Sequence, residues 1–124
     1  VVYGHGGLDE ASLSGTNQLM VLEDGQLRRD QLDPQALGLA LQPIDALSGG
    51  DLARNQTILK AVLQGQGSQA QKDVVALNTA LVLWSAGQVS SWREGVQQAH
   101  DCLASGKPWQ RFEQLAAALT PVGG

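Results

Sequence analysis

The dipeptide Asp24-Gly25 is the feature that most restricts the fold of this 124-residue chain. It lies between residues 18–23 and 26–32, in which Leu19, Val21, Leu27 and Leu32 supply apolar side chains with imperfect alternation. A tight type I′ turn needs a positive φ at both central positions, and Asp-Gly between apolar runs is the strongest short signal for such a hairpin. The sequence therefore predicts two antiparallel strands joined at Asp24-Gly25.

Residues 1–5 are predicted to form a further, short strand, because the stretch begins with β-branched and aromatic side chains. Its apolar side chains do not alternate with polar ones, which is typical of a strand buried on both faces inside an α/β sheet. One hairpin supplies few neighbours for such a strand. We therefore expect the partner strands of residues 1–5 to lie outside this chain.

From residue 51 onward the sequence predicts four helices with start and stop signals. The starts are marked by Asp51, Ser68, Ser91 and Pro108, and the ends by Gly65, Gly87, Gly106 and Thr120-Pro121. Ser91 and Glu94 have the spacing of a capping box, in which each side chain bonds the other residue's backbone. The stretch 74–84 is apolar on nearly every side, which predicts a central buried helix.

Three polar or reactive residues of the helical half require a place in the fold. Asn78 lies in the most apolar helix, and a buried asparagine must be hydrogen-bonded. We expect it to bond loop backbone, with the Gly49-Gly50 turn as a candidate. Cys102, the single cysteine, is expected to be a buried or half-buried small hydrophobe. His100 is expected at the surface or the edge of its helix.

Asp9 and Glu10 are the candidate functional residues. They follow Gly6-Gly7 in a loop after the first predicted strand, and glycine lets a backbone turn sharply beside a bulky anion. Mg²⁺ often takes one or two carboxylates, with water and substrate phosphates in its remaining positions. An acidic pair is also common on solvated surfaces, so the residues alone indicate only a plausible hard-cation site. His5 is expected to be structural, since nitrogen suits Mg²⁺ poorly.

Charge and composition argue against several kinds of binding surface and location. The net charge of −4 argues against a surface for nucleic acids or anionic membranes. One cysteine permits no intrachain disulfide, which fits a reducing compartment. No stretch approaches the roughly 18 consecutive apolar residues of a membrane-spanning helix.

Several short words occur along the chain in an order that resembles the C-terminal part of the anthranilate phosphoribosyltransferase family. They are Gly6-Gly7-Leu8-Asp9-Glu10, Leu47-Ser48-Gly49-Gly50-Asp51, Asn55 followed by Ile58-Leu59, Val62-Leu63-Gln64-Gly65, and Lys72-Asp73-Val74-Val75-Ala76-Leu77-Asn78. Each word is short, but their order and spacing together are fairly specific, and they cover nearly the whole chain. The family's enzymes are much longer, so the resemblance implies that this chain is a fragment.

The resemblance implies both a fold and an activity. The fold is the C-terminal part of a nucleoside phosphorylase/phosphoribosyltransferase-like α/β domain. Residues 1–124 would form one segment of it, mostly helical with a short strand and a β-hairpin. The activity is transfer of the phosphoribosyl group of phosphoribosyl pyrophosphate to the amine of anthranilate, a step of tryptophan biosynthesis. In this family the acids matching Asp9 and Glu10 help to hold Mg²⁺.

The resemblance also implies partners and a location. The intact enzyme would be a cytoplasmic homodimer that binds neither nucleic acid nor membrane. Its dimer contacts, its Gly-Thr-Gly-Gly-Asp phosphate loop, its Lys-His-Gly word and its anthranilate-contacting residues are all expected N-terminal to Val1. Gly49-Gly50-Asp51 follows Leu47-Ser48 instead of Gly-Thr, so it is interpreted as a turn and helix cap.

Three other functions remain open. A pyrimidine-nucleoside phosphorylase shares the architecture, although nothing in this chain favours its substrate. A non-catalytic, nucleic-acid-binding relative of the same fold should lack the acidic pair and carry a basic surface, whereas this chain keeps Asp9 and Glu10 and is acidic. A plain helical interaction module would leave the glycine-acid loop unexplained.

Overall fold

The computed structural model describes residues 1–119, so the helix end predicted at Thr120-Pro121 lies outside the described residues. The elements are β1 (Val2–Tyr3), β2 (Asn17–Glu23), β3 (Gln26–Leu32), 3₁₀ turns at Gln35–Leu37 and Ile44–Leu47, α1 (Leu52–Leu63), α2 (Gln69–Ser85), α3 (Trp92–Ala104) and α4 (Lys107–Leu119). The chain is a mixed α/β structure that is mostly helical, which confirms the predicted fold class.

The predicted hairpin is confirmed. β2 and β3 pair antiparallel from Asn17 opposite Leu32 to Glu23 opposite Gln26. Asp24 and Gly25 have φ values of 48° and 75°, both positive as a type I′ turn requires. Local chemistry at the turn therefore determines the register of both strands.

The prediction that residues 1–5 form a strand buried on both faces is wrong. β1 spans two residues and pairs antiparallel with β2, with Val2 opposite Leu19. Within residues 1–119 it is the edge of a three-stranded sheet with the order β1-β2-β3. Val2 packs on the core, but the side chain of Tyr3 is 63% exposed. A short apolar run does not show which of its faces are covered.

The helix boundaries follow the predicted signals. Asp51 accepts a hydrogen bond from the backbone of Arg54 at 2.9 Å, and Ser68 forms a complete capping box with Gln71. Glycines with φ near 70° follow three helices, at Gly65, Gly87 and Gly106. A left-handed residue just past the last turn is the usual way in which glycine ends a helix.

The capping box predicted at Ser91 is only half correct. Ser91 accepts a hydrogen bond from the backbone N–H of Glu94. The Glu94 carboxylate instead accepts from the backbone N–H and the hydroxyl of Ser90, at 2.9 and 2.8 Å. The bond from the Ser90 backbone, followed by the bond from its hydroxyl, lowers the pKa of Glu94 below its usual value.

The core lies between one face of the sheet and the α2–α3 pair. Its largest fully buried apolar residues are Leu13, Leu32 and Leu77. α2 is buried at its centre, as predicted, where the neighbouring turns present Ala76, Leu77 and Ala80 to the core. The prediction fails near its C-terminal end, where Val82 is 67% exposed.

Cys102 differs from expectation, and His100 has a partner that the sequence did not indicate. His100 is not simply a surface residue, because its Nε2 lies 3.1 Å from Oδ1 of Asp73, whose side chain is only 6% exposed. The same oxygen accepts a hydrogen bond from Gln69 at 2.7 Å, so this buried carboxylate of α2 is satisfied. Cys102 is exposed, because it lies outside the face of α3 on which Val96 and Leu103 are buried.

Candidate metal-binding site

The acid loop, residues 4–16, connects β1 to β2 and carries Asp9 and Glu10, both exposed. Its first half is a tight turn, in which Gly4 N–H donates to the Leu8 carbonyl at 2.8 Å and Gly7 N–H to the Gly4 carbonyl at 3.0 Å. Gly6 and Gly7 have φ values of 83° and 85°, a conformation that side chains disfavour. The glycines predicted to form a sharp turn before the acids do so.

Gly4 also packs directly against the acidic pair. A Cβ atom at position 4 would lie 2.0 Å from the backbone carbonyl oxygen of Glu10. No side chain fits between these two backbone segments without moving one of them. The start of the loop is therefore in contact with the peptide that follows Glu10.

Asn78 of α2 fixes the other side of the pair. Its Oδ1 accepts a hydrogen bond from Ala11 N–H, and its Nδ2 donates to the Ala11 carbonyl, both at 2.9 Å. Nδ2 also donates to the Val74 carbonyl at 3.0 Å. The expectation that Asn78 bonds loop backbone is confirmed, although the side chain is half-buried instead of fully buried.

The partner suggested for Asn78, the Gly49-Gly50 turn, is wrong. That turn is closed by Asn55, which accepts from Gly50 N–H at 2.9 Å and donates to the Gly50 carbonyl at 3.0 Å. The turn leads into α1 with Asp51 as its cap, as the sequence predicts. The two asparagines thus perform the same chemistry at two separate loops.

Asn17 is the residue of this site that sequence reasoning missed. It is fully buried at the start of β2. Its Oδ1 accepts from the N–H groups of His5 and Ser12, and its Nδ2 donates to the carbonyls of Ser12 and Leu32. The signal was its place two residues before Leu19 on the buried face of the strand, where an asparagine must have partners.

Asn17→Ala is expected to lower the free energy of unfolding of residues 1–124 by about 2–4 kcal/mol. The change removes the partners of several buried backbone groups, and each group left unsatisfied costs roughly 1–3 kcal/mol. Urea unfolding monitored by circular dichroism measures the difference. Gln18→Ala, at the exposed neighbouring position of β2, is the control and should change little. Equal stability of the two variants would contradict the anchoring role.

His5 makes contacts consistent with the structural role expected for it. Its Nδ1 lies 3.0 Å from the Ser14 hydroxyl, which lies 2.7 Å from that of Ser12. A Cβ atom at Gly15 would lie 2.6 Å from the imidazole ring, so the ring packs on the loop backbone. These contacts tie the two ends of the acid loop together.

The acidic pair suits Mg²⁺ in donor chemistry and in number. Within residues 1–119 no three His, Cys, Asp or Glu side chains form a group that could hold a metal by themselves. Two exposed carboxylates on a turn held at both sides match an ion that needs only one or two protein carboxylates. Substrate phosphates and water would supply the remaining oxygen ligands.

Comparison with known proteins identifies the family of the chain. Residues 1–109 match the model of the glycosyl transferase family, a/b domain. The chain is 59% identical over 122 residues to the anthranilate phosphoribosyltransferase of Synechococcus sp. (strain WH7803), covering 98% of this chain and 35% of that protein. It is 58% identical to that of Prochlorococcus marinus (strain MIT 9313), covering 96% and 34%. The chain thus spans about a third of these relatives.

Solved structures agree in fold. The anthranilate phosphoribosyltransferase of Thermus thermophilus superimposes with a TM-score of 0.84 at 35% identity, over 94% of this chain and 34% of that one. The Saccharomyces cerevisiae enzyme in complex with PRPP and Mg gives a TM-score of 0.79 at 29% identity, over 90% of this chain and 32% of that one.

In the described part of this chain, no helix has the length and apolarity needed to span a membrane.

The family match covers most of the chain, and the sequence relatives and structural neighbours above carry one name. The resemblance stated from the sequence words is therefore confirmed. The chain belongs to the glycosyl transferase family, a/b domain, and within that family it is similar to the anthranilate phosphoribosyltransferases.

Proposed function

We propose that residues 1–124 are the C-terminal segment of the α/β domain of a phosphoribosyltransferase. The whole protein transfers the phosphoribosyl group of phosphoribosyl pyrophosphate to the amine of anthranilate and releases pyrophosphate. The observation that carries the proposal is 59% identity over 98% of the chain to an anthranilate phosphoribosyltransferase. The proposal includes a cytoplasmic homodimer, with the dimer contacts on the part of the protein N-terminal to Val1.

In this function Asp9 and Glu10 hold the Mg²⁺ ion that accompanies phosphoribosyl pyrophosphate. When bound, the ion neutralises negative charge that builds on the departing pyrophosphate. The contribution of this chain is a preorganised pair of carboxylates. The Gly4 turn and the Asn78–Ala11 bonds fix the backbone on both sides of the pair. Little reorganisation is then needed when the metal and the polyanion arrive.

The retained acids favour this function over the nucleic-acid-binding alternative. That alternative requires a basic surface, whereas the chain carries a net charge of −4. It also has no use for two exposed carboxylates on a rigid loop, which would repel a phosphate backbone unless a cation lies between them.

The experiment is a chimera in which residues 1–124 replace the matching third of the Synechococcus sp. (strain WH7803) relative. We expect it to consume anthranilate when supplied with phosphoribosyl pyrophosphate and Mg²⁺, at a rate within about tenfold of the unmodified relative. A second assay supplies thymidine and inorganic phosphate, to test pyrimidine-nucleoside phosphorylase activity. Sedimentation velocity measures whether the chimera is a dimer.

A well-folded chimera that consumes no anthranilate would contradict the proposed function. Thermal unfolding by circular dichroism establishes folding independently of activity. Phosphorolysis of thymidine without transfer to anthranilate would favour the phosphorylase instead.

A further inference from the structure

The Asn78 side chain ends at the residue next to the proposed metal ligands. It comes from the middle of α2, 67 residues away from Ala11, and forms both possible hydrogen bonds with that residue's backbone. Ala11 is buried, whereas Glu10 is exposed. The bonds therefore attach the acid loop to the core at Ala11, the first buried residue after the exposed acidic pair.

The acidic pair lies between two fixed points. Leu8 is bonded through its carbonyl to Gly4, and Ala11 is bonded through both its polar backbone groups to Asn78. Only Asp9 and Glu10 lie between Leu8 and Ala11. A free loop of this size would sample many carboxylate orientations, and two bracketed residues sample few. If the Ala11 backbone were free to move, the backbone of its neighbour Glu10 would move with it.

A purely structural asparagine is present for comparison. Asn55 makes the same two bonds to the backbone of Gly50, with nearly the same lengths. That turn leads into α1 and carries no proposed ligand. The loop bonded by Asn78 carries the proposed metal ligands, and the loop bonded by Asn55 does not. Comparing variants of the two asparagines therefore separates a loss of stability from a loss of ligand positioning.

We propose that Asn78 is a positioning residue for metal binding, which it controls through the Ala11 backbone and hence through Glu10. This inference rests on the proposed function, because it takes Asp9 and Glu10 to be the ligands. Partners that orient metal ligands without touching the metal commonly change metal affinity or activity by 10–100-fold when removed. We expect an effect in that range for Asn78.

The test measures metal binding in the chimera, without catalysis. Mn²⁺, a paramagnetic substitute for Mg²⁺, is titrated in the presence of phosphoribosyl pyrophosphate and followed by electron paramagnetic resonance. Asn78→Ala should weaken Mn²⁺ binding about 10–100-fold, whereas Asn55→Ala, at an exposed turn, should change it less than twofold. In the activity assay, excess Mg²⁺ should restore much of the turnover of Asn78→Ala.

Asn78→Ser covers the case in which the alanine variant fails to fold. A serine on a helix can bond the carbonyl four residues back, as Ser85 does with Leu81 at 2.7 Å. Asn78→Ser therefore keeps a bond equivalent to that with Val74 but loses both bonds to Ala11. It should bind Mn²⁺ as weakly as the alanine variant.

Asn78 variants whose Mn²⁺ affinity matches that of Asn55→Ala would overturn the positioning role. The double variant Asp9→Ala/Glu10→Ala separates this failure from failure of the proposed function. If the double variant loses Mn²⁺ binding while the Asn78 variants keep it, only the positioning role is wrong. If the double variant still binds Mn²⁺ normally, the ligand assignment is wrong and the inference falls with it.

Discussion

Replacing both Asp9 and Glu10 by alanine is expected to reduce turnover of the chimera with anthranilate at least about a hundredfold. Loss of one preorganised group that stabilises developing charge commonly costs 10²–10³ in turnover, about 3–4 kcal/mol. Here the change removes the protein's proposed hold on the metal while leaving the loop backbone in place. The measurement is the rate of anthranilate consumption at saturating phosphoribosyl pyrophosphate, over a range of Mg²⁺ concentrations.

The matched control removes two exposed carboxylates elsewhere. Asp101→Ala/Glu113→Ala makes the same change in net charge, on α3 and α4. It should retain turnover within about twofold, since exposed charges outside the metal site are largely screened at physiological salt. Unchanged turnover of the Asp9/Glu10 double variant at saturating Mg²⁺ would exclude these residues as the metal site.

The sequence predicted those parts of the fold that short-range chemistry determines. Asp24-Gly25 determined the hairpin, and cap residues such as Asp51 and Ser68 located helix starts, because each signal acts within a few residues. Burial depends on distant contacts. The exposure of Tyr3 and the pairing of Asp73 with His100 depend on which elements meet, so periodicity alone did not reveal them.

The candidate site shows the same division. Asp9 and Glu10 stand out locally, because two acids follow a glycine-rich turn. The groups that hold the acid loop in place do not stand out in the sequence. Asn17 reaches the strand partner Leu32, and Asn78 reaches Ala11 from another element. The sequence required a hydrogen-bond partner for Asn78 but offered no means of choosing between two loops, and the structure places that partner in the acid loop.

We expect residues 1–124 by themselves to transfer phosphoribosyl groups to anthranilate at a rate at least about 10⁴-fold below that of the chimera. Holding two reactants in position supplies about 7–11 kcal/mol of barrier reduction in favourable cases. The residues proposed to act here hold a metal ion and one end of a polyanion. The chain spans about 35% of the relative it matches, and the phosphate loop and anthranilate contacts are expected N-terminal to Val1.

The assay requires proof that the isolated chain is folded, since an unfolded chain would be inactive for a trivial reason. The assay counts only preparations in which circular dichroism shows helix content consistent with α1–α4 and urea gives a cooperative transition. The positive control adds the complementary N-terminal two-thirds of the relative as a separate chain. Activity that appears only when both pieces are present would assign the missing substrate contacts to the added piece. Transfer to anthranilate by folded residues 1–124 alone would mean that this chain binds both substrates, and the placement of the active site across two parts of a longer protein would be wrong.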